Sequence, residues 1–165
     1  MKLAIIGCGY WGPNLVRNFI QSNKVQQVIC CDLDQKRLDR MKGLYPMVEV
    51  LKDYKQLLEM PDLDAVAIAT PVKTHHPIAK EFLSQGKHVF IEKPFTHSYE
   101  TALELIKVAE EKQKVLMVGH TFEYTAAVNA SHRKYDSCCS ERMAGGIDAR
   151  FGYADGRTVL VCGPG

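Results

Sequence analysis

Apolar positions follow two rhythms along this chain. Short runs are almost continuously apolar: KLAIIG at 2–7, VQQVICCD at 25–32, a weak MVEVL at 47–51, DAVAIAT at 64–70, KHVFIE at 87–92 and VLMVG at 115–119. Their length and the lack of strict alternation predict strands covered on both faces. Between them lie segments with helical spacing. YWGPNLVRNFIQS places Leu15, Val16, Phe19 and Ile20 on one face, and LDQKRLDRMKGLY is amphipathic with Gly43 marking its end. KDYKQLLE predicts a short helix, and HHPIAKEFLSQG a longer one stopped by Gly86. SYETALELIKVAEEKQ is the clearest helix, with Ser98 as its expected N-cap and an apolar face at 102, 105, 106 and 109. Six strands alternating with helices predict an α/β fold, a Rossmann-type doubly wound parallel sheet with helices on both faces.

The rhythm stops near residue 130. ASHRKYDSCCSERMAGGIDARFGYADGRTVLVCGPG holds one leucine, half of the chain's glycines and half of its cysteines. No period runs through it before TVLVC. Residues 1–130 therefore read as the folded domain and 131–165 as an irregular C-terminal tail. The tail reads as a flexible extension, an irregular capping segment, or sequence out of register with the original gene.

Composition adds bounds. A chain of 165 residues with 46% hydrophobic and 24% charged residues fits one globular domain with a real core. A formal net charge of +2, with no basic stripe interleaved with aromatics, gives no reason to expect nucleic acid or an anionic membrane. No apolar run reaches the roughly 18 residues of a membrane span, and the glycines of MKLAIIGCGYWG interrupt what a signal peptide would need. The cysteines, Cys8, Cys30, Cys31, Cys138, Cys139 and Cys162, form no C-x-x-C pair, which speaks against a zinc site. Reduced thiols in a cytoplasmic protein are the expectation.

The candidate chemistry sits where strands end. Gly7-Cys8-Gly9-Tyr10-Trp11-Gly12 is a G-x-G-x-x-G between a predicted strand and a predicted helix. Gly7 permits the tight turn, Gly9 lets backbone approach a pyrophosphate, and Gly12 lets the helix pack on the strand. The phosphates would meet the free N–H groups and dipole of the helix start. Asp32 ends the second strand, twenty positions after Gly12, the spacing at which a carboxylate accepts from the adenosine ribose hydroxyls. A carboxylate there repels a 2′-phosphate and favours NAD over NADP. The competing reading makes Asp32 the cap of the next helix and leaves Asp34 solvated. Thr70 and Pro71 end the fourth strand, with His75 at the following helix start; ordinary hydrogen-bonded helix-start residues are the competing reading for His75 and the favoured one for His76. HVFIEKPFTH places Glu92 at the end of the fifth strand with Lys93 and Pro94 just after it, and a Glu-Lys pair is otherwise a solvated loop.

GCGYWGPNLVRNF, VICCDLD, AIATPVKTHHPIA, GKHVFIEKPF and VLMVGHTFEY, in this order, resemble the N-terminal half of the Gfo/Idh/MocA oxidoreductases, over residues 1 to about 129. The GYWGPN form is similar to a branch acting on nucleotide-activated sugars, such as UDP-N-acetylglucosamine-type 3-dehydrogenases. The resemblance implies an NAD-dependent dehydrogenase of a sugar or nucleotide-sugar hydroxyl. It implies cofactor contacts from Gly7, Gly9, Tyr10, Trp11, Gly12, Asp32, Thr70, Pro71, His75, Glu92, Lys93 and Pro94. It makes Lys93 catalytic, beside the nicotinamide and the substrate hydroxyl, with a Lys–Pro bond that is often cis in the family. His120 falls at the edge of the site. The family also carries a second α/β domain, through which it usually pairs into oligomers, with most of the sugar contacts and an Asp and His in a D-x-G-x-H-like helix. Here Gly145-Gly146-Ile147-Asp148 has a passing likeness to its lead-in, but no histidine follows and His132 fits nothing. The expectation is a cofactor-binding domain that is catalytically incomplete, with a non-catalytic dinucleotide-binding module or sensor as the alternative.

Overall fold

A computed structural model describes residues 1–119. Eleven elements alternate: β1 (Lys2–Ile6), α1 (Gly12–Gln21), β2 (Gln27–Cys31), α2 (Gln35–Leu44), β3 (Glu49–Leu51), α3 (Lys55–Leu58), β4 (Ala65–Ile68), α4 (Val72–Ser84), β5 (His88–Glu92), α5 (Tyr99–Lys112) and β6 (Leu116–Gly119). The six strands form one sheet in the order β3-β2-β1-β4-β5-β6. Every pairing is parallel. This is the doubly wound order in which the chain reverses direction between β1 and β4, leaving a crevice at their carboxyl ends. The tail at 131–165, the family-like stretch before it and His120 lie outside the described residues.

The apolar runs explain the two-sided sheet. Successive side chains of a strand point to opposite faces. Ala4 and Ile6 of β1 join Val66, Ile68, Val89 and Ile91 on one face, covered by Ile78, Phe82 and Leu83 of α4 and Leu105 of α5. Leu3 and Ile5 join Val28, Cys30 and Ala67 on the other, under Leu15 and Val16 of α1 and Leu38 and Met41 of α2. A strand that alternated apolar and polar residues could feed only one of these layers.

Element ends differ from the periodicity in two instructive places. Gly43 lies inside α2, which runs one residue further to Leu44 and is capped by Tyr45. A glycine weakens a helix interior by only about 1 kcal/mol, less than the burial of Leu38 and Met41 on the same helix supplies. Helix α4 starts at Val72, three residues before the predicted start, and carries Pro77 inside it. Pro71 is extended at φ −60° and ψ 142°, and so supplies the boundary that the histidines were expected to mark. At the other end Gly86 adopts φ +73°, as a helix stop requires. Ser98 caps α5 as expected, its Oγ accepting the Thr101 N–H at 3.3 Å.

Candidate dinucleotide site

The glycine-rich loop is built by close backbone approaches. Gly7 has φ +98°, and a Cβ there would stand 2.7 Å from the carbonyl carbon and oxygen of Ala69. Its N–H donates to Cys31 O at 2.8 Å, while the Ala69 N–H donates to Ile6 O at 2.8 Å, so the turn is stitched to both neighbouring strands. A Cβ on Gly12 would lie 2.5 Å from Gly7 O, so the first turn of α1 rests directly on the loop that precedes it. Gly9 is different. A Cβ there would meet only the Arg37 guanidinium, at 3.5 Å. Among the described residues nothing requires a glycine at position 9, and what stands over it is the end of a flexible, half-exposed side chain.

The start of α1 is electrostatically bare. Among the described residues no side chain caps it, and its first turn holds no acid. By contrast Asp34 caps α2, accepting the Lys36 N–H at 2.9 Å. Pro13 has no N–H and the Asn14 and Leu15 N–H groups donate to Trp11 O, so the first turn offers an anion the Gly12 N–H and the helix dipole. The Gly12 N–H and the dipole of α1, beside a loop where a movable guanidinium stands over Gly9, fit a pyrophosphate.

Asp32 sits behind this loop, 9% exposed. Its Oδ2 accepts the Cys8 N–H at 2.7 Å and lies 3.3 Å from Arg37 Nη1; its Oδ1 accepts the Asp34 N–H at 2.9 Å. The carboxylate therefore ties the end of β2 to the glycine-rich loop. A carboxylate has about four acceptor positions, so one remains for a ribose hydroxyl. The helix cap is Asp34, and Asp34 is not merely solvated. Arg37 was missed by the sequence reading. It lies three residues after Asp34 and also approaches Asp34 Oδ2, at 3.6 Å. Its signal was a basic residue at i+3 from the capping acid in a helix read only for its apolar face.

The fourth and fifth strands deliver the other expected residues. Thr74 Oγ1 lies 2.7 Å from both Thr70 Oγ1 and Pro71 O, fixing the β4–α4 loop. Pro71 is exposed at the loop surface. His75 is turned inward, 1% exposed. Its Nε2 lies 2.7 Å from Thr70 O, and its Nδ1 lies 3.0 Å from Pro94 O and 3.2 Å from Phe95 O. The imidazole is thus bracketed by backbone oxygens and joins the end of β4 to the turn after β5. Its partner in sequence, His76, instead points to Glu104, at 2.6 Å.

The Lys93–Pro94 bond is cis. Glu92 is half-buried, with its Oε2 3.3 Å from the Lys93 N–H. A Cβ on Gly119 would stand 2.8 Å from the Phe90 ring and 3.3 Å from Glu92 Oε1, so the small residue ending β6 makes room first for Phe90 and then for Glu92. Lys93 is exposed, and its Nζ lies 5.4 Å from the Trp11 ring centroid. Tyr10, 87% exposed, meets Trp11 edge to face at 5.5 Å. Lys93 therefore faces the glycine-rich loop across the crevice and not only water.

Cys8, Cys30 and Cys31 are free and buried beneath the loop. Burial first and the Asp32 charge second push the Cys31 thiol up to about 12. Among the described residues no helix is long and apolar enough to cross a membrane.

A glycine-rich turn between β1 and α1, an acid at the end of β2 and an open crevice at the chain reversal define a dinucleotide-binding Rossmann domain. Residues 1–120 match the Gfo/Idh/MocA oxidoreductase family, described as an NAD-binding Rossmann fold, and the chain belongs to that family. It is 29% identical over 137 residues to a 1-carboxy-3-chloro-3,4-dihydroxycyclohexa-1,5-diene dehydrogenase of Comamonas testosteroni, matching 83% of this chain and 34% of that protein. It is 32% identical over 133 residues to an alpha-N-acetylgalactosaminidase of Shewanella oneidensis, matching 75% of this chain and 29% of the relative. Among solved structures, GenD2 from gentamicin A biosynthesis in complex with NAD superposes with a TM-score of 0.75 at 25% identity, covering 81% of this chain and 38% of GenD2. The chain spans about a third of the length of the curated relatives it matches.

Proposed function

We propose that residues 1–130 are the cofactor half of an NAD-dependent dehydrogenase that oxidises or reduces a hydroxyl-bearing carbon of a sugar, nucleotide-sugar or related ring polyol. The observation that carries this reading is the placement of Lys93. An exposed ammonium stands 5.4 Å from Trp11 of the glycine-rich loop, on the crevice where the loops after β1, β4 and β5 converge. A ring carrying hydroxyl groups suits the relatives: one is named for a dihydroxylated carbocycle and another for an amino sugar. The nucleotide-sugar branch rests on the GYWGPN form alone.

Bound nicotinamide supplies the hydride chemistry. The chain supplies the rest. The Gly12 N–H and dipole at the start of α1 and the approach over Gly9 would receive the pyrophosphate, with Tyr10 and Trp11 beside it. Asp32 offers its remaining acceptor position to a ribose hydroxyl, and its charge disfavours a 2′-phosphate. Thr70 and Pro71 form the wall on the β4 side. His75 holds that wall against the Lys93–Pro94 turn from inside. Lys93 hydrogen-bonds the reacting oxygen and assists its proton transfer.

The 165 residues hold no D-x-G-x-H element to complete the acid–base pair. The same departure from the family pattern keeps a second reading in view, a dinucleotide-binding module or sensor. Calorimetric titration with NADH, followed by assays on UDP-sugars and free polyols, tests both. The expected result is one saturable NADH site with negligible turnover. Absence of NADH binding refutes the cofactor assignment, and sustained turnover refutes the catalytic incompleteness.

A further inference from the structure

The G-x-G-x-x-G pattern leaves its fourth and fifth positions unspecified, and here they are two large aromatics. Both are exposed: Tyr10 at 87% and Trp11 at 42%. Exposed aromatics in a loop contribute nothing to the core beneath it, so their cost is offset elsewhere. Among the described residues Trp11 has two partners. Tyr10 presents its ring at 89° to the indole, 5.5 Å away. Lys93 Nζ stands 5.4 Å from the indole centroid, within the distance at which a cation is attracted by the ring quadrupole. Tryptophan is the best aromatic for this purpose. The two residues come from opposite sides of the crevice, one from the β1–α1 loop and one from the turn after β5.

The backbone of that turn is fixed from behind by the His75 contacts to Pro94 O and Phe95 O. The Lys93 side chain is not. It projects into solvent on a flexible four-carbon stem, and ordering such a chain costs conformational freedom. Among the described residues the indole contact is what orders it.

We propose that Trp11 is the positioning residue for Lys93. Its indole face holds the ammonium over the mouth of the crevice before any ligand arrives, and Tyr10 braces the indole edge. This rests on the reading of Lys93 as the group beside the nicotinamide, but the contact itself is testable without cofactor. The chain has a single tryptophan, so its emission reports on this pair alone.

The experiment compares Trp11 emission in the unliganded full chain and in Lys93→Arg and Lys93→Met. It also compares the acylation rate of Lys93, followed by peptide mass spectrometry with an amine-reactive ester, in the wild type, Trp11→Phe and Trp11→Leu. An exposed cation–π contact favours the side chain seated on the indole over the free one by about two- to fivefold, and the free side chain is the one that meets the ester. The expected result is an emission change in Lys93→Met that is absent in Lys93→Arg. Lys93 acylation is expected to rise by about two- to fivefold in Trp11→Leu, with most of the protection retained in Trp11→Phe. Identical emission in all three Lys93 forms, or equal acylation in the wild type and Trp11→Leu, overturns the proposal. NADH titration of the same proteins separates the two levels. Pair signals without NADH binding defeat the functional reading and leave the contact standing, while NADH binding without pair signals defeats the pairing alone.

Discussion

Three glycine-to-alanine substitutions in one loop give three different outcomes, because each glycine is there for a different reason. In Gly12→Ala the new methyl starts 2.5 Å from Gly7 O, nearly 1 Å inside contact distance, and the obstacle is backbone that cannot rotate away. Helix α1 must lift off the loop, and overpacking of this kind costs about 1–3 kcal/mol. Gly7→Ala adds a φ of +98° to a 2.7 Å approach to the Ala69 carbonyl. A left-handed conformation alone costs about 1–2 kcal/mol for an L-residue, so its total exceeds that of Gly12→Ala. Gly9→Ala meets only a guanidinium at 3.5 Å, an ordinary contact, and is expected within about 0.5 kcal/mol of wild type. Its methyl occupies the space assigned to the pyrophosphate, so NADH affinity falls at least about tenfold while stability holds, roughly 1.4 kcal/mol of binding. Urea unfolding gives the stabilities and NADH titration the affinities. If Gly9→Ala binds NADH normally, the space over Gly9 is not the pyrophosphate site. If Gly12→Ala is as stable as wild type, the packing argument for the loop is wrong.

Other outcomes follow from single contacts. Asp32→Ala strands the Cys8 and Asp34 N–H groups and removes one of the two carboxylates beside Arg37, and should lower unfolding stability by about 1–3 kcal/mol as well as weaken NADH binding; a variant with wild-type stability would show that the carboxylate does not tie the loop. His88 accepts the Val115 N–H through Nδ1, and burial first and Lys114 second lower its pKa below the ordinary 6.5. The unfolded chain therefore binds the proton more readily, and this contribution is full above the unfolded value and lost as pH falls below about 6.5. The melting temperature should drop between pH 7.5 and pH 5.5, by less in His88→Gln; an equal drop in both would remove His88 as the cause. The Cys31 thiol, pushed up to about 12, should resist alkylation at neutral pH in the folded chain and react on unfolding, as mass spectrometry of the labelled peptides would show.

Much of the architecture was legible because each strand is a short apolar run bounded by turn residues. The run alone does not say which side chain faces which layer, but two-sided burial makes that question unimportant for recognising the strand. Helix starts were harder. The α4 boundary was set by the extended Pro71, while apolar spacing began counting only at His75. In the site, the roles of Gly7 and Gly12 could be anticipated because they are matters of backbone geometry fixed by the motif. Asp32 was placed correctly at the end of β2, but its bonds to Cys8 and Arg37 are long-range in space and invisible to spacing. His75 shows the same limit. Its position at a helix start suggested a residue flanking a ligand or a plain hydrogen-bonded one, whereas burial against Thr70, Pro94 and Phe95 depends on how β4 and β5 lie side by side. The contact between Trp11 and Lys93 joins residues 82 positions apart, and only the parallel sheet brings them together.

The central claim is that a nicotinamide dinucleotide lies across the carboxyl ends of β1, β2, β4 and β5 with its nicotinamide near Trp11 and Lys93. Energy transfer from the single tryptophan to bound NADH measures this directly. The account predicts strong, saturable transfer that NAD competes away and whose midpoint Gly9→Ala moves to at least about tenfold higher NADH. NADH that produces no transfer, or transfer with the wild-type midpoint in Gly9→Ala, would contradict it.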